Sequence, residues 1–266
     1  MRLKNPINTR NLAKAVSQLG LLFLSSAAFA EGKATEPAAT AEKNWPAPVN
    51  DQQIFTFLQV DQLEYRSNQR GGNTLRWDAQ GWIGGDYNKL WIKTEGERLA
   101  ARNNGDAEVQ ALYNRLIAPF WNFQAGVRND TRYGGTTNPS RTMAVIGFQG
   151  LAPYEFDIEP ALFIGKSGDV SARLTGTYDV LLTQRLIAQS RFETSASARR
   201  MEQFDIGSGL NYVELGLRLR YEIKREFAPY IGVSWVRKLG NTADIARNTG
   251  APVDNLSVVS GLRLWF

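Results

Sequence analysis

Between residues 53 and 266 the chain runs through twelve extended segments that are too long for most soluble folds. Hydrophobic and polar residues alternate within them, and Gly, Asn, Asp and Pro separate them, which is typical of strands and turns. Most segments have 11 to 13 residues, about twice the length of a typical soluble strand and slightly more than a tilted strand needs to cross a bilayer. The predicted strands are 53 to 65, 74 to 84, 88 to 99, 107 to 117, 120 to 130, 141 to 151, 155 to 165, 169 to 181, 184 to 196, 211 to 223, 227 to 238 and 255 to 266.

The alternation separates two chemically different faces, most clearly in the segment 211 to 223. Leu215 and Leu217 point to one side, whereas Arg218 and Arg220 point to the other. One face suits lipid and the other suits water or ion pairs. A soluble sandwich or lipocalin-like barrel would also alternate, but it would have to bury the charged face at a prohibitive desolvation cost.

The connections between segments alternate between short and long, as an up-and-down barrel requires. No stretch after residue 30 is apolar for the roughly 18 residues of a membrane helix, and lipid accepts only helices and closed barrels. The sequence therefore predicts an all-β fold, a transmembrane antiparallel up-and-down barrel of about twelve strands and of the outer-membrane type. In this class short turns face the periplasm and long loops face outside.

The first thirty residues have the features of a secretory signal peptide. Four basic residues precede an apolar stretch from residue 15 to residue 29, and the stretch closes on Ala28, Phe29 and Ala30. Cleavage after Ala30 removes four basic groups and no acidic one, so the formal net charge of +5 falls to +1. The mature chain therefore gives no support for nucleic-acid binding. Residues 31 to 52 are rich in Ala, Pro and Glu and are expected to form a flexible periplasmic lead-in to the barrel at 53 to 266.

The absence of histidine and cysteine excludes several kinds of chemistry. Without imidazole there is no Ser-His hydrolase and no usual zinc site. We therefore expect a protein that is not an enzyme. Aromatic residues near segment ends, among them Trp91, Trp121 and Tyr230, are expected to form interfacial girdles.

Several long motifs are similar to those of the copper resistance protein B family. They are DQLEYR from Asp61, AEVQALYNRLIAPFWNFQAGVR from Ala107, GLAPYEFDIEPALFIG from Gly150, YDVLLTQRLI from Tyr178, REFAPYIGVSW from Arg225 and the closing GLRLWF. The resemblance covers essentially all of 53 to 266. It implies a cell outer-membrane protein that binds copper ions weakly or conducts them across the outer membrane, alongside a periplasmic multicopper oxidase. A final strand that ends in Phe266 also resembles the signal read by the barrel-assembly machinery.

The resemblance leaves the handling of copper open. Members of the family commonly carry a Met- and His-rich segment ahead of the barrel, whereas residues 31 to 52 contain neither residue type. A general small-solute outer-membrane channel with only an indirect link to copper is the alternative.

Two sets of residues are candidate ligands for copper, which would be a transported or weakly bound cargo and not a catalytic cofactor. Met143 and Met201 are the thioethers that remain after processing, and thioethers suit Cu(I). They could equally be ordinary packing residues. Glu155, Asp157 and Glu159 share one strand face without a basic residue between them, and such acidic groups favour cations in a pore.

Two further carboxylates, Asp61 and Glu64, are three residues apart, so they belong on opposite faces of their strand unless a bulge intervenes. Most other lumen charges are expected to form structural ion pairs.

Overall fold

The computed structural model describes residues 53–166 and 168–266, and these form a closed barrel of twelve strands. The predicted signal peptide (1–30) and lead-in (31–52) lie outside the described residues and stay predictions. The strands are β1 (Phe55–Asn68), β2 (Thr74–Gly84), β3 (Asn88–Leu99), β4 (Gly105–Ala118), β5 (Trp121–Tyr133), β6 (Ser140–Ala152), β7 (Phe156–Gly165), β8 (Val170–Leu181), β9 (Leu186–Ser197), β10 (Gly209–Tyr221), β11 (Phe227–Lys238) and β12 (Asp254–Trp265).

Each strand pairs antiparallel with its neighbours in the chain, and β1 pairs with β12 to close the barrel. The predicted fold class is therefore confirmed, and β2, β3 and β11 have the predicted bounds. We call one rim the turn end, since it carries the connections 85–87, 119–120, 153–155, 182–185 and 222–226. The opposite rim, the loop end, carries 69–73, 100–104, 134–139, the connection from β7 to β8, 198–208 and 239–253.

The two faces of the strands meet opposite environments. On β10, Leu215 and Leu217 are 47% and 54% exposed on the outer surface, whereas Arg218 is 1% exposed inside the barrel. The apolar side chains thus face outward and the charged ones inward, which is the reverse of a soluble barrel. This arrangement confirms the prediction of a lipid-facing exterior and a charged lumen.

The loop end contains one α-helix that the sequence analysis did not predict, α1 (Gly240–Thr249), between β11 and β12. Its buried residues Thr242, Ala243, Ile245 and Ala246 lie on one side of the helix. The Thr242 hydroxyl accepts a hydrogen bond of 2.9 Å from the amide of Gly207, which ties the helix to the loop after β9. No helix in the described part of the chain is long and apolar enough to cross a membrane.

A bulge in β1 changes which residues of that strand face the lumen. The pairing of β1 with β2 shifts between Val60 and Gln62, so that one extra residue is accommodated and the alternation restarts. Asp61 and Gln62 consequently both line the lumen, and Glu64 follows on the same side with 1% exposure. The bulge that allows Asp61 and Glu64 to share the lumen face, which the sequence left open, is therefore present.

Candidate functional site

An ion-pair layer fills the middle of the lumen. It consists of Glu64, Arg66, Arg76, Glu193, Glu214 and Arg218, whose side chains are at most 12% exposed. Arg66 donates to Glu64 at 2.7 Å and to Glu214 at 2.9 Å. Paired and hydrogen-bonded in this way, the charges offset the large cost of removing them from water.

Some ion pairs join strands that lie nearly opposite each other in the barrel. Arg76 of β2 lies 3.7 Å from Glu193 of β9, and Arg191 of β9 lies 3.5 Å from Asp78 of β2. Arg173 of β8 contacts carboxylates on β3 and β4, including Glu108 at 2.8 Å. Because these contacts cross the lumen, they obstruct a path along the barrel axis.

A cavity of about 280 Å³ lies between this layer and the turn end. Eight carboxylates line it, namely Asp61, Asp78, Glu95, Glu108, Glu155, Asp157, Glu159 and Asp179. Four basic side chains line it as well, namely Lys93, Arg173, Arg191 and Arg263. The excess of carboxylates gives the cavity a negative potential, which attracts cations. A second cavity, of about 300 Å³, lies on the loop side of the layer and is lined by Arg66, Arg70 and Lys238, among others.

The structure brings the three predicted acidic residues together at the turn-end cavity. Glu155 ends a short 3-10 turn, Pro153–Glu155, and has a left-handed φ of 65°. Asp157 follows on β7 and forms no ion pair with any described residue. Glu159 contacts Lys93 of β3 at 2.5 Å, so a basic group from across the lumen does approach this face. Within the trio, Glu155 and Asp157 carry the uncompensated charge.

The two methionines lie in different surroundings. Met143 does face the lumen, as predicted, but it is 2% exposed and packs in an interior apolar cluster with Trp91, Leu112, Val145 and Phe163. Met201 lies in the loop after β9, and its Sδ accepts a hydrogen bond of 2.7 Å from Nη1 of Arg141. Arg141 and Met143 are alternate residues of β6 on the lumen side, so the guanidinium that contacts Met201 belongs to the same strand as Met143. The methionine site stays a prediction, and these surroundings count against it.

The girdle interpretation of two aromatic residues is wrong. Trp91 is 8% exposed within the interior apolar cluster, and Tyr230 is 7% exposed and donates to Glu64 at 3.0 Å. Both side chains face the lumen and not the membrane interface.

The cavity offers carboxylate and amide oxygen atoms as ligands for a cation, and only the carboxylates were predicted from the sequence. Glutamines were missed, although strand alternation gives the inward position of all of them except Gln62, which the bulge turns inward. They are Gln59, Gln62, Gln80, Gln110, Gln149 and Gln189. Within residues 53–166 and 168–266, no three acidic side chains gather closely enough to hold a metal ion by themselves. The arrangement suits loose association with a hydrated cation more than a tight metal centre.

A closed antiparallel barrel with a lipid-compatible exterior and a charged lumen defines an outer-membrane β-barrel protein. Solved structures similar to this chain include the KdgM porin, with a TM-score of 0.46, 12% identity and coverage of 78% of this chain and 99% of that chain. Another is outer membrane phospholipase A from Escherichia coli, with a TM-score of 0.48, 12% identity and coverage of 79% and 92%.

The family assignment comes from the sequence. The model of the copper resistance protein B precursor family matches residues 54–266. Copper resistance protein B of Escherichia coli is 43% identical over 221 residues, which are 82% of this chain and 72% of that protein. A copper resistance protein B homolog of Pseudomonas syringae pv. tomato is 43% identical over 218 residues, with the same coverage. The chain belongs to the copper resistance protein B family, as its motifs predicted.

Proposed function

We propose that this barrel serves copper resistance by binding hydrated copper ions weakly in the turn-end cavity, as cargo and without catalysis. The observation that carries the proposal is the excess of carboxylates in that cavity, above all Glu155 and Asp157, which form no ion pair with another described residue. Carboxylate and amide oxygens are hard ligands, which suit Cu(II) better than Cu(I). Such a cavity would collect the divalent ion from its surroundings at low affinity.

The turn end faces the periplasm if the barrel follows the rule of its class. A periplasmic multicopper oxidase could then exchange copper with the cavity directly. Conduction of copper across the outer membrane would require the ion-pair layer to rearrange, because contacts of Arg76 on β2 with Glu193 on β9 and Glu214 on β10 cross the lumen. We further propose that the outer surface of the barrel contacts outer-membrane lipid. We also propose that the barrel-assembly machinery recognises the C-terminal segment formed by β12 and Phe266.

Neutralising the unpaired carboxylates tests the cavity. Glu155→Gln together with Asp157→Asn removes two negative charges without breaking an ion pair, so the barrel should stay folded. At about 1 kcal/mol for each charge near the ion, we expect the Cu(II) affinity to fall about tenfold or more, measured by calorimetry in detergent at low salt.

The matched control for this experiment is Asp86→Asn with Glu226→Gln. Both residues are exposed carboxylates in turn-end connections and do not line the cavity. We expect this control to bind Cu(II) as the wild type does. An equal loss of affinity in both double variants, or no loss in either, would contradict a role for the cavity.

The methionine hypothesis has its own test. Met143→Leu conserves volume in the apolar cluster and removes the sulfur, and Met201→Ala removes the sulfur that accepts from Arg141. Because oxygen ligands are expected to bind the ion, the double variant should keep its Cu(II) affinity within about twofold. Its Cu(I) binding should also be unchanged when it is measured against a competing chelator under reducing conditions. A loss of Cu(I) binding of about tenfold would establish the methionine site instead.

A further inference from the structure

The β1 bulge builds an unusual group of oxygen atoms at the inner end of the turn-end cavity. It places Asp61 and Gln62 next to each other on the lumen side. Gln62 is 3% exposed, and its Oε1 is a buried acceptor that receives no hydrogen bond from the described residues. Leaving such an acceptor without a donor is unfavourable, so an electropositive ligand at this atom would be stabilising.

Asp78 supplies a carboxylate, in addition to that of Asp61, beside the side-chain carbonyl of Gln62. It is the cross-strand partner of Gln62 in the pairing of β1 with β2. Its only ion-pair contact among the described residues is Arg191 Nη2 at 3.5 Å, and that same nitrogen donates to Glu193 at 2.7 Å. Since Arg191 is engaged more closely elsewhere, the charge of Asp78 is only partly compensated.

Asp61 completes the group and is held in place by its neighbours. Its Oδ2 accepts from Gln80 Nε2 at 3.1 Å, and its Oδ1 lies 3.3 Å from Nε of Arg263. Gln59 also donates to Oδ1. These contacts orient the carboxylate, and bulges of this kind recur next to functional sites because they redirect side chains.

We propose that Asp61, Gln62 and Asp78 form an inner subsite for a hydrated divalent cation, Cu(II) in the cellular setting. The inference rests on the proposed function, because it identifies where within the acidic cavity the ion comes to rest. Two carboxylates and one amide carbonyl supply hard oxygen ligands, and water molecules complete the coordination shell. The side-chain carbonyl of Gln62, which accepts no hydrogen bond from the described residues, distinguishes this subsite from the rest of the acidic lining.

The test uses the full barrel, folded in detergent and titrated with Cu(II) while the ion is followed by electron paramagnetic resonance. Gln62→Leu removes the carbonyl and should weaken binding of the inner ion about tenfold, whereas Gln62→Glu adds a negative charge and should strengthen it by a similar factor. The spectrum of the bound ion should show oxygen ligands and no nitrogen splitting.

The matched control is Gln124→Leu. Gln124 is also a buried lumen glutamine, with 2% exposure, but it donates to Asn114 at 3.1 Å and to Gln149 at 3.0 Å and does not line the cavity. We expect its Cu(II) affinity to stay within twofold of wild type. Circular dichroism and heat-dependent migration in gels establish folding, and if either leucine variant fails to fold, Gln62→Glu alone decides the question.

The outcomes separate this inference from the proposed function. If both Gln62 variants bind Cu(II) like wild type while Glu155→Gln with Asp157→Asn binds it less tightly, the inner subsite is overturned and the cavity retains its role. If the wild type binds no Cu(II), both are overturned. Opposite shifts in Gln62→Leu and Gln62→Glu would establish the subsite.

Discussion

Replacing Glu64 with glutamine is expected to cost the barrel about 3–5 kcal/mol of unfolding free energy, as breaking a buried ion pair typically does. Arg218 is 1% exposed on its side chain, and Glu64 is its only ion-pair partner among the described residues. The substitution keeps the shape of the side chain but leaves Arg218 without a counter-ion. Denaturant titration of the barrel in detergent or lipid would measure the loss.

A second variant distinguishes the unpaired charge from other causes. In Glu64→Gln with Arg218→Met the buried cation is removed as well, so we expect most of the lost stability to return. The control is Asp244→Asn, which breaks an exposed pair with Arg247 and should change stability by less than about 1 kcal/mol. If the double variant were no more stable than Glu64→Gln alone, the loss would not come from the unpaired guanidinium.

The ion-pair layer is also expected to keep the wild-type barrel nearly non-conducting in a planar bilayer. Arg76→Ser with Arg173→Ser removes two long side chains that cross the lumen, and we expect a large increase in conductance with a preference for cations. The cation preference follows because Glu108, Glu193 and Glu214 would remain, and rings of acidic groups favour cations.

This variant should still fold. Glu214 keeps Arg66, Glu193 keeps Arg191, and Glu108 keeps Arg128 at 2.7 Å. Glu95 loses its contact with Arg173, but its side chain is 21% exposed and so remains partly hydrated. Arg115→Ser is the control, since Arg115 is an exposed residue of β4 between the outward-facing Tyr113 and Ile117. High conductance of the wild type, with free passage of uncharged solutes, would contradict a closed layer and favour the general small-solute channel.

Strand number, strand length and the orientation of most side chains could be predicted because a two-residue period determines them locally. On β10 the period assigns Leu217 to lipid and Arg218 to the lumen without any knowledge of the other strands. Helix α1 was missed because its apolar positions lie inside a long loop, where Thr242, Ala243 and Ile245 give only a weak periodic signal. Its stability depends on packing at the loop end, which the sequence of the loop does not reveal.

The site was predictable in composition but not in geometry. Alternation places Lys93 and Glu159 in the lumen, yet β3 and β7 are distant in the barrel and only the closed structure brings their side chains to 2.5 Å. The spacing of Asp61 and Glu64 left open whether a bulge brings both of them to the lumen. Because the bulge lies between Val60 and Gln62, the side chain of Gln62 turns inward. Its side-chain carbonyl therefore lies beside the cross-strand partner Asp78.

The strict division of β10 between apolar and charged residues also bears on how the barrel assembles. If this strand paired with β9 or β11 one residue out of register, every side chain would change sides. Arg218 and Arg220 would then enter the bilayer, at about 2–4 kcal/mol for an arginine near its midplane, while Leu215 and Leu217 would displace the charged contacts within. The buried arginines therefore disfavour misaligned pairing of β10, because a strand out of register would expose them to lipid.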